Sequence, residues 1–181
     1  SNLNGAIDIA AGAQLRLEGA GPHTVGLNMD LSGDGTLVMA SGGMLVAVNN
    51  NLIIDSTLTL QQDFGQLDIA GAQTLTVEGT HNWVGGDITG IGALNYAMGS
   101  FLNVTGSGAV LNSADMTVAG TATISGTGNV LVENGANVNV IAGGLVELTS
   151  TGGFTAGTGA GVLSIAASAV LRSSGTGTVG L

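Results

Sequence analysis

Apolar and polar residues alternate along this chain in short bursts. Ile7 and Ile9 flank Asp8, Leu15 and Leu17 flank Arg16, and Leu67 and Ile69 flank Asp68. Leu94 and Tyr96 likewise flank Asn95, and Val138 and Val140 flank Asn139. A period of two sends successive side chains to opposite faces of an extended strand. Most bursts end at Gly, Asn, Asp or Ser, residues that favour turns. The chain's 33 glycines and its many Val, Ile and Thr residues oppose helix. The pattern predicts an all-β protein with essentially no α-helix.

The bursts recur in a larger unit of two strands around a small corner. Copies read GAIDIAAGAQLRLEG from Gly5, GTLVMASGGMLVAV from Gly35 and GQLDIAGAQTLTVEG from Gly65. Three more start at Gly92, Gly128 and Gly161. Such self-similarity is the signature of a stacked repeat, in which one unit cannot bury its apolar face alone. The corners read A-x-G-A or S-G-x-G more often than the N-G and D-G of tight hairpins. We therefore expect a single-stranded, three-sided, right-handed parallel β-helix (a β-solenoid) over residues 1–181 as one domain. Two coil lengths fit: about 30 residues with about six coils, or about 20–24 residues in three strands with about eight.

The predicted inner column comprises Ile7, Ile9, Leu15, Leu37, Leu45, Leu67, Ile69, Leu75, Leu94, Leu102, Val130, Val138, Leu163 and Leu171. Composition narrows what its exterior does. The chain has 12 acidic residues but only two basic ones, Arg16 and Arg172, for a net charge of −10. Nucleic acid and anionic membrane surfaces both call for clustered cations, so neither is an expected partner. Cysteine is absent, which removes disulfides and thiolate metal sites. No run of 18 apolar residues is present to span a bilayer as a helix.

The G-x-L-x-[IV]-A-x-G-A-x-L-x-V units resemble the passenger segments of bacterial autotransporters and filamentous-haemagglutinin-like β-helix repeat proteins. So does the segment Asn82-Trp83-Val84-Gly85-Gly86-Asp87-Ile88-Thr89-Gly90. The resemblance covers nearly the whole chain and states coil geometry rather than a site. It implies a right-handed parallel β-helix exported to the bacterial surface, with a structural or adhesive role.

Candidate chemistry is sparse. The outward acids Asp8, Asp68, Asp87, Asp115, Glu18, Glu78, Glu133 and Glu147 read as solvated charge. A 30-residue register would align Asp8 with Asp68 and Glu18 with Glu78, each pair two coils apart at ~10 Å, too far to share one metal. Arg16 and Arg172 fall at equivalent positions of the first and last copies and read as solubilising residues. His23 and His81 each lack a second ligand at metal-binding spacing. Gly85-Gly86-Asp87 is a single incomplete match to a calcium-binding repeat. In the 30-residue alignment Thr76 matches Arg16, Val46 and Asn103, so no threonine ladder forms. Trp83 and Tyr96 are the candidates for stacking on a sugar ring or partner, although Tyr96 aligns with the inner Ile9 and Ile69.

No cofactor and no metal are therefore expected. The expected partners are the chain's own coils end to end, a longer parent polypeptide, or a host or matrix polysaccharide. The primary expectation is a segment of an extracellular adhesin or stalk. The alternatives are a self-assembling extracellular fibre subunit and a polysaccharide-binding or -degrading β-helix.

Overall fold

A computed structural model describes residues 1–26, 29–42, 45–149, 151–159, 161–176 and 179–180. Every pairing between its strands is parallel, and no helix occurs among the described residues. Coil 1 consists of β1 (Asn2–Leu3), β2 (Ala6–Asp8) and β3 (Gln14–Leu17). Coil 2 has β4 (Pro22–Val25), β5 (Asp30–Ser32) and β6 (Thr36–Met39). Coil 3 has β7 (Leu45–Val48), β8 (Leu52–Ile54) and β9 (Thr59–Gln62). Then follow β10 (Gln66–Ile69), β11 (Thr74–Val77), β12 (Thr80–Gly90), β13 (Ala93–Tyr96) and β14 (Phe101–Asn112). The last coils use β15 (Asp115–Val118), β16 (Thr121–Ile124), β17 (Asn129–Glu133), β18 (Asn137–Val140) and β19 (Leu145–Leu148). Finally come β20 (Gly153–Ala156), β21 (Val162–Ile165), β22 (Val170–Ser173) and β23 (Val179–Gly180).

These strands stack on three faces, giving about eight coils. The first face runs β1, β4, β7, β10, the end of β12, the end of β14, β17, β20 and β23. The second runs β2, β5, β8, β11, β13, β15, β18 and β21, and the third runs β3, β6, β9, β12, β14, β16, β19 and β22. Strands β12 and β14 are long because they turn from the third face onto the first without a break. A register shift between Trp83 and Gly85 marks that corner. At ~4.8 Å per coil the rod is ~38 Å long.

The register decides the coil length. One coil takes 19 residues between Leu75 and Leu94 and 25 between Val138 and Leu163. The shorter, three-strand alternative is therefore the observed one. The 30-residue unit is corrected: a two-strand motif with its corner looks alike wherever it falls on the triangle. The copy at Gly5 covers the second and third faces, that at Gly35 the third and first, and that at Gly65 the first and second. A step of about 30 residues advances four strands rather than three and rotates the motif by one face.

Inside, like stacks on like. On the second face Leu52, Leu75, Leu94, Met116, Val138 and Leu163 lie in register. Of the expected inner set, Ile9, Leu37, Leu67, Ile69, Leu75, Leu94, Leu102, Val130 and Val138 are buried. Ile7, Leu15 and Leu163 are half-buried against the same core, in the end coils. Leu171 departs from expectation at 41% exposed: it continues the column from Val146, but it stands in the last full coil, with no further third-face strand among the described residues. The side chain of Leu45 lies outside the described residues.

The corners are tight. At Gly90, where φ is +97°, a Cβ would run into the carbonyl oxygen of Ile69, so glycine is required on both conformational and steric grounds.

Candidate functional site

Gln62, His81, Trp83 and Tyr96 break the aliphatic column within one stretch of the rod, while another buried ring, Phe154, stands apart on Val130. The two inner columns of the third face read Leu60, His81, Leu102 and Gln62, Trp83, Val104. Tyr96 enters from the second face, between Val77 and Val118. Gln62 and His81 are fully buried. The three rings form a row, with His81 6.0 Å from Trp83 and 6.0 Å from Tyr96 between centroids and interplanar angles of 13° and 18°.

The polar atoms of this layer are mostly satisfied from within. His81 Nδ1 lies 2.7 Å from the Tyr96 hydroxyl. Trp83 Nε1–H donates to the Gly86 carbonyl at 3.0 Å, and Gln62 Nε2–H donates to the Asp87 carbonyl at 3.3 Å. Gln62 Oε1 and His81 Nε2 are left without a partner. Burial lowers the pKa of His81 to about 3 and raises that of Tyr96 well above its ordinary value. The imidazole is thus neutral, sealed and out of reach of a substrate.

This placement corrects the expectation for the aromatic residues. Trp83 is 0% exposed and Tyr96 1%, so neither offers a face to a sugar or a partner. Tyr96 pairs with Val77 and Val118 rather than with Ile9 and Ile69, yet it is inward all the same. Gln62 went unnoticed in the sequence, although its separation of two from Leu60 signals an inward side chain. The same parity joins His81 to Trp83. A void of about 20 Å³ lies further toward the first coil, among Leu17, Val25, Leu31, Met39, Leu60 and Leu75. Its lining is entirely aliphatic, and it is too small for an organic ligand.

Outside, the acids scatter. Asp8 pairs with Ser32, and Asp68 with Ala47 and Thr89, so the alignment of Asp8 with Asp68 does not exist. Asp87 lies between Gln66 and Val110, and its pKa is raised first by partial burial and then by the charge of Glu133. Asp115 accepts from Asn137 Nδ2 at 2.7 Å. Among the described residues no three of His, Asp and Glu gather at metal-binding distance. His23 lies in β4 of coil 2, its Nδ1 2.7 Å from Ser1 Oγ and its Nε2 3.3 Å from the Glu18 carbonyl.

Arg16 and Arg172 do share one outward row of the third face, joined through Val38, Gln61, Asn82, Asn103, Thr123 and Glu147. Each pairs with a glutamate, Arg16 with Glu18 at 3.0 Å and Arg172 with Glu147 at 2.9 Å, at exposed positions where such pairs contribute little. The row beside it holds Thr36, Thr59 and Thr80 in register, a threonine ladder that the 30-residue alignment misses. Phe101 interrupts it before Thr121. Thr76 belongs to the second face, between Ile53 and Asn95.

Comparison with known protein families, with curated proteins and with solved structures finds no match to this chain.

Proposed function

We propose that this chain is a non-enzymatic structural or adhesive segment of an extracellular, surface-exposed β-helical rod. The observation that carries the reading is the contrast between inside and outside. The polar cluster of the core is closed to solvent, while among the described residues no three of His, Asp and Glu gather on the surface, Asp87 and Glu133 being close enough to sense each other's charge but without a third such group beside them. A lyase or glycosidase needs carboxylates, or a metal, converging on the scissile bond. The resemblance of the repeats to autotransporter passengers and filamentous-haemagglutinin-like proteins supports display on a bacterial surface. Antibodies raised against the folded chain test the location: they are expected to label intact cells of the organism that makes it. Labelling only after permeabilisation overturns the reading. So does depolymerisation of any polysaccharide by the purified chain.

A second reading, end-to-end assembly, is favoured by one observation. The last full coil leaves the inward Ile165 and Leu171 exposed, and a further coil stacked on it would cover them. The first coil of another copy would supply that coil. Unpaired parallel edges are natural templates for such addition. Electron microscopy of the purified chain across concentration tests it: filaments support end-to-end assembly, and monodisperse short rods overturn it.

A further inference from the structure

We propose that the third face between coils 3 and 6 is a binding surface for a neutral polysaccharide. This names the ligand class for the adhesive reading above and rests on it.

The chain has three phenylalanines, one tryptophan and one tyrosine. Trp83, Tyr96 and Phe154 are buried, whereas Phe64 is 56% and Phe101 52% exposed. Both exposed rings border the same face. Phe101 opens β14 on one edge, in the row between Thr80 and Thr121. Phe64 lies at the opposite edge, two residues beyond the end of β9. Coil spacing and strand rise put the two rings on the order of 15–20 Å apart, a span that an oligosaccharide of a few rings covers obliquely.

The surface around them is polar, with one charge, the Asp63 carboxylate beside Phe64. Its outward positions are Thr59, Gln61, Thr80, Asn82, Asn103, Thr121 and Thr123. Asn103 Nδ2–H donates to Asn82 Oδ1 at 3.0 Å, which orients that pair, and Gln61 Nε2–H donates to Asp63 Oδ1 at 2.6 Å. The outward hydroxyls of Thr59, Thr80, Thr121 and Thr123 remain available to a ligand. Exposed aromatic rings beside fixed amides and hydroxyls match the two surfaces of a sugar. Its C–H faces pack on the electron-rich face of an arene, and its hydroxyls exchange hydrogen bonds with the neutral groups.

The same inventory rejects the neighbouring chemistries. An acidic polysaccharide would meet no cation here, since Arg16 and Arg172 lie at the two ends of the rod and the chain carries −10 overall. An ordered ice plane would meet Phe101 standing in the middle of the threonine row.

The test uses the whole chain. Retention is measured on insoluble cellulose and chitin and in gels containing soluble xylan or neutral β-glucan, with pectate and heparin as the acidic comparison. At least one neutral polymer is expected to bind and both acidic ones to be ignored. Because both rings are exposed, the double variant Phe64→Ala/Phe101→Ala should fold as the parent does and bind about tenfold or more weakly. Ile53→Ala, exposed on the second face, should bind as the parent does. No retention by any neutral polymer, tighter binding of pectate or heparin, or parent-like binding by the folded double variant each overturns the site. Those failures leave the surface-rod reading to the cell-labelling experiment, whose own failure would not abolish binding in vitro.

Discussion

Single residues carry the boundary between a dry interior and a wet exterior, and two of them make that boundary measurable. Leu94 is fully buried, stacked between Leu75 and Met116. Truncation to alanine removes buried methyl groups and leaves a cavity that the close-packed coils above and below cannot fill. Leu94→Ala should therefore destabilise by about 2–5 kcal/mol in urea denaturation; a parent-like midpoint would mean the side chain does not point inward. His81 makes the interior pH-sensitive. Its folded pKa of about 3 lies below the value of about 6.5 in the unfolded chain. Above pH 6.5 both states are neutral, and the group adds no pH dependence. Between 6.5 and 3 only the unfolded state takes up the proton, so stability falls as pH falls. By pH 4 the loss is about 3 kcal/mol relative to pH 7. Replacing His81 by Phe, which keeps a ring in the row, should remove that part of the acid sensitivity. Urea melts of parent and variant at both pH values check it, and equal pH slopes would refute it.

At the scale of the element, the strands were legible and the corners only partly. Two-residue alternation around Asp8, Asp68 and Asn139 gives strands and their inward sides from sequence alone, because a pleated strand has no other way to separate its faces. The same parity brings Gln62 and His81 into the core, but their polarity hides it when residues are sorted by type rather than by position. Corners are harder because close approach between coils is a contact across about twenty residues, invisible to local pattern. Gly106 and Gly108 illustrate this. Both sit in β14 and both read as permissive glycines. A Cβ on Gly106 would run into the Val84 carbonyl oxygen of the coil beneath, whereas one on Gly108 meets nothing within 4 Å. Gly106→Ala should then lower the thermal midpoint, at a cost of about 1–3 kcal/mol, while Gly108→Ala is tolerated. Equal midpoints for the two variants would show that the corner yields freely.

For the whole molecule, the decisive quantity is how many residues complete a coil, and here sequence reading left two answers open. It did so because the apolar-x-apolar motif with its small corner serves all three faces equally. Copies starting at Gly5, Gly35 and Gly65 therefore look like one repeat although they occupy different sides of the triangle. Pairing of Asp115 with Asn137 and of Met116 with Val138 fixes the coil there at 22 residues. Deleting 115–136 removes one strand from each face and lets Asn137 take the place of Asp115 above Ala93. The inner column then runs from Leu94 to Val138 without interruption. Because a solenoid's stability is approximately a sum over coils and their contacts, the shortened chain should fold with the same β-type circular dichroism, about 5 Å shorter by small-angle scattering. Deleting 115–144 removes four strands and brings Leu145 onto the second face where Asp115 began. Every later strand is then turned one face round, against corners whose glycines no longer meet the carbonyls they were shaped to clear. That variant should melt well below the first. If instead the 30-residue deletion were the better tolerated, the three-strand coil, and with it the assignment of every face described above, would be wrong.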